Sequence, residues 1–337
     1  MRKDNVHFLT VLFLFFFIVV MNIFFAKMSY VENHKKEEHI NEIKDYVAID
    51  KLRVEYEEEP IILFGSDYQG DLRYKNTKEL LETVKRYIVP NLFVVAGDYR
   101  VTLDDDYYES EKGLFELVSL FNDYFKGVPT ITIQGNHDPA KTLGLPSKDY
   151  FETDKYIVYV INEDNYPYNE DESSEETVLS TANKLDSYLK QLTGNKPVFI
   201  VTHVPLHYSI RSNGNDNKYA YLLFNTINKY SNLDIVFLFG HNHSDTYDDY
   251  IGGSINYIPK GGTIKIGGTA QEAKLNFTYL NAGYMGFSNN TISETSTNLL
   301  TLTGIKIKDN ELEIQKYCRD GLYYNPPIVV KRVGVYE

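Results

Sequence analysis

The stretch Ile235-Val236-Phe237-Leu238-Phe239-Gly240-His241-Asn242-His243 changes character in one step, from five apolar residues to a glycine and two histidines around an asparagine. A short apolar run cut off by turn residues predicts a strand. Because it is apolar at successive positions, it suits a sheet covered on both faces. The same break occurs at four places upstream. Ile61-Ile62-Leu63-Phe64 meets Gly65-Ser66-Asp67-Tyr68-Gln69, and Leu92-Phe93-Val94-Val95-Ala96 meets Gly97-Asp98. Thr130-Ile131-Thr132-Ile133-Gln134 meets Gly135-Asn136-His137-Asp138, and Val198-Phe199-Ile200-Val201-Thr202 meets His203.

Between these runs the period changes to that of a helix. Leu80, Leu81, Val84 and Ile88 share a helical face within Thr77 to Val89. Leu114, Leu117, Val118, Phe121 and Phe125 do so within Glu111 to Phe125, and similar stretches run from Thr177 to Leu192 and from Tyr219 to Tyr230. Strand and helix in alternation predict an α/β fold around a largely parallel central sheet. The carboxyl ends of such strands share one edge, where open α/β sheets bind ligands.

The side chains gathered at that edge are Asp67, Gln69, Asp98, Asn136, His137, His203, His241 and His243. Carboxylate, amide oxygen and imidazole are ligands for Mg, Mn, Fe and Zn. Even seven of these eight donors are too many for one tetrahedral site and suit two cations sharing an Asp. Of eight histidines, His7, His34 and His39 precede the first motif, while His137, His203, His207, His241 and His243 all lie in or beside strand ends. Each motif alone is weak; five in order, each in strand-to-loop context, are not.

At these residues the chain resembles the calcineurin-like metallophosphoesterase superfamily, whose pattern is Asp-x-His, Gly-Asp, Gly-Asn-His-Asp/Glu, His and Gly-His-x-His at successive strand ends. The resemblance extends from about Ile61 to at least Asn281, and Gly135-Asn136-His137-Asp138 and Gly240-His241-Asn242-His243 match throughout. It implies a four-layer αββα sandwich of two mixed β-sheets around a centre of two divalent ions (Mn, Fe, Zn or Mg). By the same resemblance Asp67 and His243 serve the first ion, Asp98 bridges, and Asn136, His203 and His241 serve the second. His137 would not bind metal but would face the phosphoryl group as general acid or charge stabiliser. The implied reaction is hydrolysis of a phosphate mono- or diester, with in-line attack by a metal-bridging hydroxide.

One position departs from the pattern: Gln69 stands where the family usually has His. Its amide oxygen can still ligate and favours harder cations such as Mn or Mg. The alternative is a surface metal-binding module that has lost turnover through this replacement. Val101 occupies the position where purple acid phosphatases need a Tyr ligand, which excludes that branch.

The 337 residues hold 34 basic and 47 acidic side chains, a net charge of -13, with 43% hydrophobic residues and one cysteine. That excludes a disulfide-stapled scaffold and argues against a protein that grips duplex nucleic acid. A small phosphate ester reaching bound cations is compatible with it. At the amino end, Phe8 to Ala26 contains only Thr10 and Asn22 as polar residues. As a helix it would reach about 30 Å, the thickness of a bilayer's hydrocarbon. The expectation is a membrane anchor over 1–27, favoured over a cleaved signal peptide, with an extracytoplasmic catalytic domain. Residues 28–59 read as a polar stalk, 60–320 as the metallophosphoesterase domain and 321–337 as an extended tail.

Other segments carry less. His207 either lines the mouth of the site or is a hydrogen-bonded structural histidine. Arg100 reads as a surface ion pair rather than a phosphate contact, and Tyr68 and Tyr284 as ordinary core rather than stacking platforms. Asn281-Ala282-Gly283-Tyr284 suggests a backbone turn near the site. Asn162 to Thr177, with seven acidic residues and no basic one, reads as a solvated loop. Gly252-Gly253 and Gly261-Gly262 bracket a hairpin, and Leu299 to Ile307 with Glu311 to Tyr317 form another around Asp309-Asn310 that completes the second sheet.

Overall fold

Two β-sheets packed face to face carry the protein, and each is covered by helices on its outer side. The computed structural model describes residues 20–22, 24, 25, 27, 59–69, 74–99, 107–138, 148–167, 174–208, 217–242, 256–269, 271–286 and 300–333. The chain divides into two units, Met1–Asp45 and Tyr46–Glu337. In the first, the described residues of the apolar run, Val20–Asn22, Phe24 and Phe25, are helical. Among the described residues no helix is long and apolar enough to cross a membrane, so the spanning helix expected over 8–26 is not supported here. The remainder of that run, and nearly all of the expected stalk, lie outside the described residues.

In chain order the second unit begins β1 (Ile61–Gly65), α1 (Tyr74–Lys85), β2 (Leu92–Val95), α2 (Tyr107–Tyr124), β3 (Thr130–Thr132), β4 (Tyr150–Glu152) and β5 (Ile157–Ile161). It continues α3 (Glu175–Leu189), β6 (Val198–Thr202), α4 (Ala220–Asn228), β7 (Ile235–Phe239), β8 (Tyr257–Ile258), β9 (Thr263–Lys265) and β10 (Glu272–Lys274). Last come β11 (Thr278–Asn281), β12 (Gly283–Tyr284), β13 (Thr301–Ile307), β14 (Glu311–Cys318), β15 (Gly321–Leu322) and β16 (Ile328–Lys331).

The five motif strands do not share the one central sheet that alternation alone suggests; they divide between two mixed sheets, as the family resemblance implies. β1, β2 and β3 run parallel in a sheet ordered β15-β14-β13-β1-β2-β3, with β12 also on β13 and β16 also on β14. β6 and β7 lie in a second sheet ordered β4-β5-β6-β7-β11-β8, parallel from β5 to β11. The runs are apolar on both faces because each sheet is covered twice. Ile62, Phe64, Val94 and Ile131 meet Val158, Phe199, Val201 and Leu238 between the sheets. Ile200, Phe237 and Tyr279 turn the other way, onto Val178 and Leu185 of α3 and Leu223 and Phe224 of α4. On the outer face of the first sheet Phe93 stacks on Phe121 of α2 with ring centroids 4.0 Å apart.

The predicted helices sit in place with shifted ends. α1 stops at Lys85, ahead of Val89-Pro90, where proline disfavours helix at the preceding residue. α3 starts at Glu175 because Ser174 caps it, accepting the Thr177 N–H at 3.0 Å. Glu175 and Glu176 therefore fill the first helical turn, where the helix dipole favours negative charge, and the acidic segment is not all solvated loop. The hairpin expected between the glycine pairs is not formed by the described residues. β8 pairs with β11 instead, and the chain turns at Gly261 and Gly262 into the β9–β10 ribbon. The β13–β14 hairpin is present, but it belongs to the sheet of β1.

Candidate metal centre

Strand register brings the loops level. Gly65 of β1 pairs with Val95 of β2, and Val95 with Thr132 of β3, so Asp67, Asp98 and Asn136 leave the first sheet side by side. Thr202 of β6 pairs with Phe239 of β7, which delivers His203 and His241 from the second sheet. The candidate centre is thus assembled across the gap between two sheets.

There the donors meet. One ligand atom each from Asp67, Asp98 and His203, all buried, lie within 4.8 Å of one another. His203 Nε2 is 3.3 Å from Asp98 Oδ2 and 2.8 Å from Asn136 Oδ1, and His241 Nδ1 is also 2.8 Å from Asn136 Oδ1. The two imidazoles stand edge to face, centroids 5.2 Å apart. Asn136 and His137 are half-buried, so the site opens to solvent on their side.

The backbone is bent to make this arrangement. Among the described residues five non-glycines have positive φ, and four are motif residues: Asp67 (54°), Gln69 (52°), Asp98 (59°) and His241 (66°). Left-handed backbone outside glycine costs about 1–3 kcal/mol and persists only where the surroundings enforce it. Hydrogen bonds between loops do that here. Asp67 N–H donates to Gly97 O at 2.9 Å, Gln69 N–H to Asp98 O at 3.1 Å, and His241 N–H to Asp67 Oδ2 at 2.9 Å. Gln69 is therefore buried, its N–H on the carbonyl of Asp98.

Several supporting residues were not singled out by the sequence. Buried Asp138 accepts the N–H groups of Asp98 (2.8 Å), Tyr99 (3.0 Å) and Gly135 (2.8 Å), fixing the loop that carries Asp98. His137 N–H returns to Asp98 Oδ1 at 2.9 Å. A Cβ on Gly135 would lie 2.3 Å from that same oxygen, so only glycine fits there. The segment after β5 clasps the two sheets together at this end. Asn162 Oδ1 accepts Gln134 N–H at 3.0 Å, Gln134 Nε2 donates to Asp164 Oδ1 at 3.0 Å, and Tyr166 Oη donates to Pro205 O at 2.8 Å. Asp138 could have been found as the last letter of its motif. The clasp had no local signal, since its partners lie 28 to 39 residues away.

Electrostatics test whether a cation fits. His203 Nδ1 lies 2.6 Å from Ala96 O, so it carries the proton and turns Nε2 toward Asp98 and Asn136. A neutral Nε2 would then oppose its lone pair to two oxygen atoms. Burial disfavours the imidazolium, but the charge of Asp98 and its hydrogen bond, with Asp67 behind them, hold the imidazole up at about 10. Burial likewise opposes the Asp98 carboxylate, and His203 outweighs it, so Asp98 stays well below the usual carboxylate range. The pocket demands positive charge, and its oxygen and imidazole donors fit a divalent cation of the Mg, Mn, Fe or Zn kind.

The remaining predicted residues sort as follows. His243 and Arg100 lie outside the described residues. Tyr68 and Tyr284 are core. Asn281 to Tyr284 crosses from the second sheet to the first, and the chain beyond it reaches the site, with Met285 N–H on Ser66 O (3.0 Å) and Gly286 N–H on Asp67 O (2.7 Å). His207 is structural: it is buried, and burial pushes its imidazole down to about 3. An unfolded chain takes up that proton near pH 6.5. The contribution of neutral His207 is therefore complete above about 6.5 and erodes as pH falls toward 3. Urea midpoints of wild type should fall more between pH 7 and pH 4 than those of His207→Gln; parallel slopes would contradict this.

Comparison with known proteins agrees with the geometry. No curated protein sequence matches the chain. Among solved structures, a dimetal phosphatase from Danio rerio aligns with a TM-score of 0.52 at 9% identity, over 81% of this chain and 99% of that one. GAP50, the anchor in the inner membrane complex of Plasmodium, aligns with a TM-score of 0.52 at 13% identity, over 82% of this chain and 89% of that one. At such identities these show a shared fold. The sequence model of the calcineurin-like phosphoesterases matches residues 61–245, more than half the chain and nearly every residue of the centre above. This chain belongs to the calcineurin-like phosphoesterase family, metal-dependent hydrolases of phosphate esters.

Proposed function

We propose that this protein hydrolyses a small phosphate mono- or diester at the strand-end centre, holding two divalent ions there. Asp67, Gln69 and His243 would hold the first ion, Asp98 would be shared, and Asn136, His203 and His241 would hold the second. His243 enters on its motif alone. The observation that carries the reading is the convergence of buried Asp67, Asp98 and His203 from two sheets, with Asp67 and Asp98 on left-handed backbone. Divalent cations bound there would make water a better nucleophile and neutralise charge on the phosphoryl oxygens. Asp67 and Asp98 supply the compensating negative charge. His137, half-buried and tethered through its N–H to Asp98, would protonate the leaving oxygen or steady the phosphoryl charge. The net negative charge of the chain favours small esters over long polyanions.

The test is hydrolysis of p-nitrophenyl phosphate and bis-p-nitrophenyl phosphate by the full chain with Mn. Turnover that EDTA abolishes is expected. If wild type with Mn, Fe, Zn or Mg is no faster than Asp98→Asn, the enzyme reading is lost, and a metal-binding module without turnover takes its place. We also propose that the run Phe8 to Ala26 anchors the chain in a membrane with the catalytic domain on the extracytoplasmic side, on the strength of its two polar residues in nineteen. Extraction by alkaline carbonate without detergent would overturn the anchor.

A further inference from the structure

His207 lies outside the donor set, yet its ring is joined to the loop that carries His241. Its Nε2 is 2.6 Å from Asn242 Nδ2, and its Nδ1 is 2.9 Å from Tyr279 Oη. An amide nitrogen only donates, so Nε2 is the acceptor from Asn242. The ring is wedged edge-on against Phe239 and Tyr279, with centroids 5.3 and 5.8 Å away. The His207 carbonyl accepts Asn217 Nδ2 at 3.1 Å, and its N–H reaches Tyr279 Oη at 3.2 Å.

What this rigid group holds is Asn242, itself buried and placed between His241 and His243. Asn242 N–H closes a tight turn onto Gly240 O at 2.7 Å. His241, inside that turn, has a φ of 66°, a left-handed conformation uncommon outside glycine. Its torsions are fixed on one side by its N–H on Asp67 Oδ2 at 2.9 Å and on the other by Asn242. Releasing Asn242 would let the turn relax toward ordinary backbone and swing the His241 imidazole off Asn136.

We propose that His207, acting through Asn242, is a positioning residue that sets His241 for metal binding. It touches neither the cation nor substrate. The role rests on the metal-centre reading above and adds to it a residue four positions beyond His203 that the ligand motifs do not include.

The test is Mn affinity of the purified full chain, by calorimetric titration after EDTA treatment, alongside thermal melting. His207→Phe keeps the ring packing and removes the acceptor; affinity should fall about 10- to 100-fold, the usual effect of losing a group that orients a ligand. His207→Gln can accept from Asn242 and donate to Tyr279, and should recover most of that loss. Asn242→Ala should match His207→Phe, and the double variant should be no worse than either single change. Phe224→Leu, on the buried face of α4, should lower the melting temperature and leave Mn affinity unchanged. If His207→Phe does not fold, Asn242→Ala carries the test alone. Variants that melt earlier but bind Mn like wild type overturn the proposal. A wild type that binds no Mn overturns the metal-centre reading itself, and this proposal with it.

Discussion

Asp98→Asn should reduce hydrolysis of p-nitrophenyl phosphate to background and weaken Mn binding about 10²- to 10³-fold. Asp98 is the residue on which both halves of the site depend. One carboxylate oxygen faces His203 Nε2 at 3.3 Å and the other accepts His137 N–H at 2.9 Å. The asparagine is nearly isosteric, so the loop strapped by Asp138 survives and the loss isolates charge. Breaking a buried charged pair from one side costs about 3–5 kcal/mol. At about 1.4 kcal/mol per decade that corresponds to the stated loss of affinity. Circular dichroism should show the fold intact. A variant with wild-type turnover would remove Asp98 from the mechanism.

Gly240→Ala should damage the fold and the candidate metal centre together. Its Cβ would fall 1.8 Å from Ser66 Oγ, 2.8 Å from Ser66 Cβ and 2.9 Å from Ala96 O. None of these is the end of a flexible chain. The Ser66 hydroxyl lies 2.6 Å from Asp67 Oδ2 and 2.8 Å from Ala96 O, and that carbonyl also receives His203 Nδ1. The methyl would push against the supports of Asp67 and His203 together. Overpacking of this kind costs about 1–3 kcal/mol, and the melting temperature and Mn affinity should fall together. A variant that melts and binds as wild type does would show that β7 and β1 are not packed this closely at their ends.

The site was more legible in the sequence than the topology. Apolar runs that stop at Asp67, Asp98, Asn136, His203 and His241 mark strand ends whatever sheet they join, because burial on both faces and an abrupt polar terminus are local properties. Which strands neighbour one another is not local. Nothing within Val198 to Thr202 says that β6 pairs with β5 and β7 rather than with β3; alternation alone suggests one central sheet, and only the family resemblance implies the two that exist. The crossing at Ala282-Gly283 was visible only as a glycine near the end of a strand. The supports of the site escaped for the same reason. Ser66, Asp138, Asn162 and Tyr166 act on backbone groups, and Asp164 on the Gln134 side chain, brought close by folding, and no periodicity announces such a contact. His207 was visible as a histidine but not as a neutral one, since its role depends on Asn242 and Tyr279 closing around it.

If these strand ends form a centre of two ions, metal content reports it. Elemental analysis of the full chain after reconstitution with Mn and removal of excess, for wild type and Asp98→Asn in parallel, should give close to two Mn per wild-type chain and a clear loss in the variant. One ion or none in wild type, or equal content in both proteins, would contradict a two-ion centre.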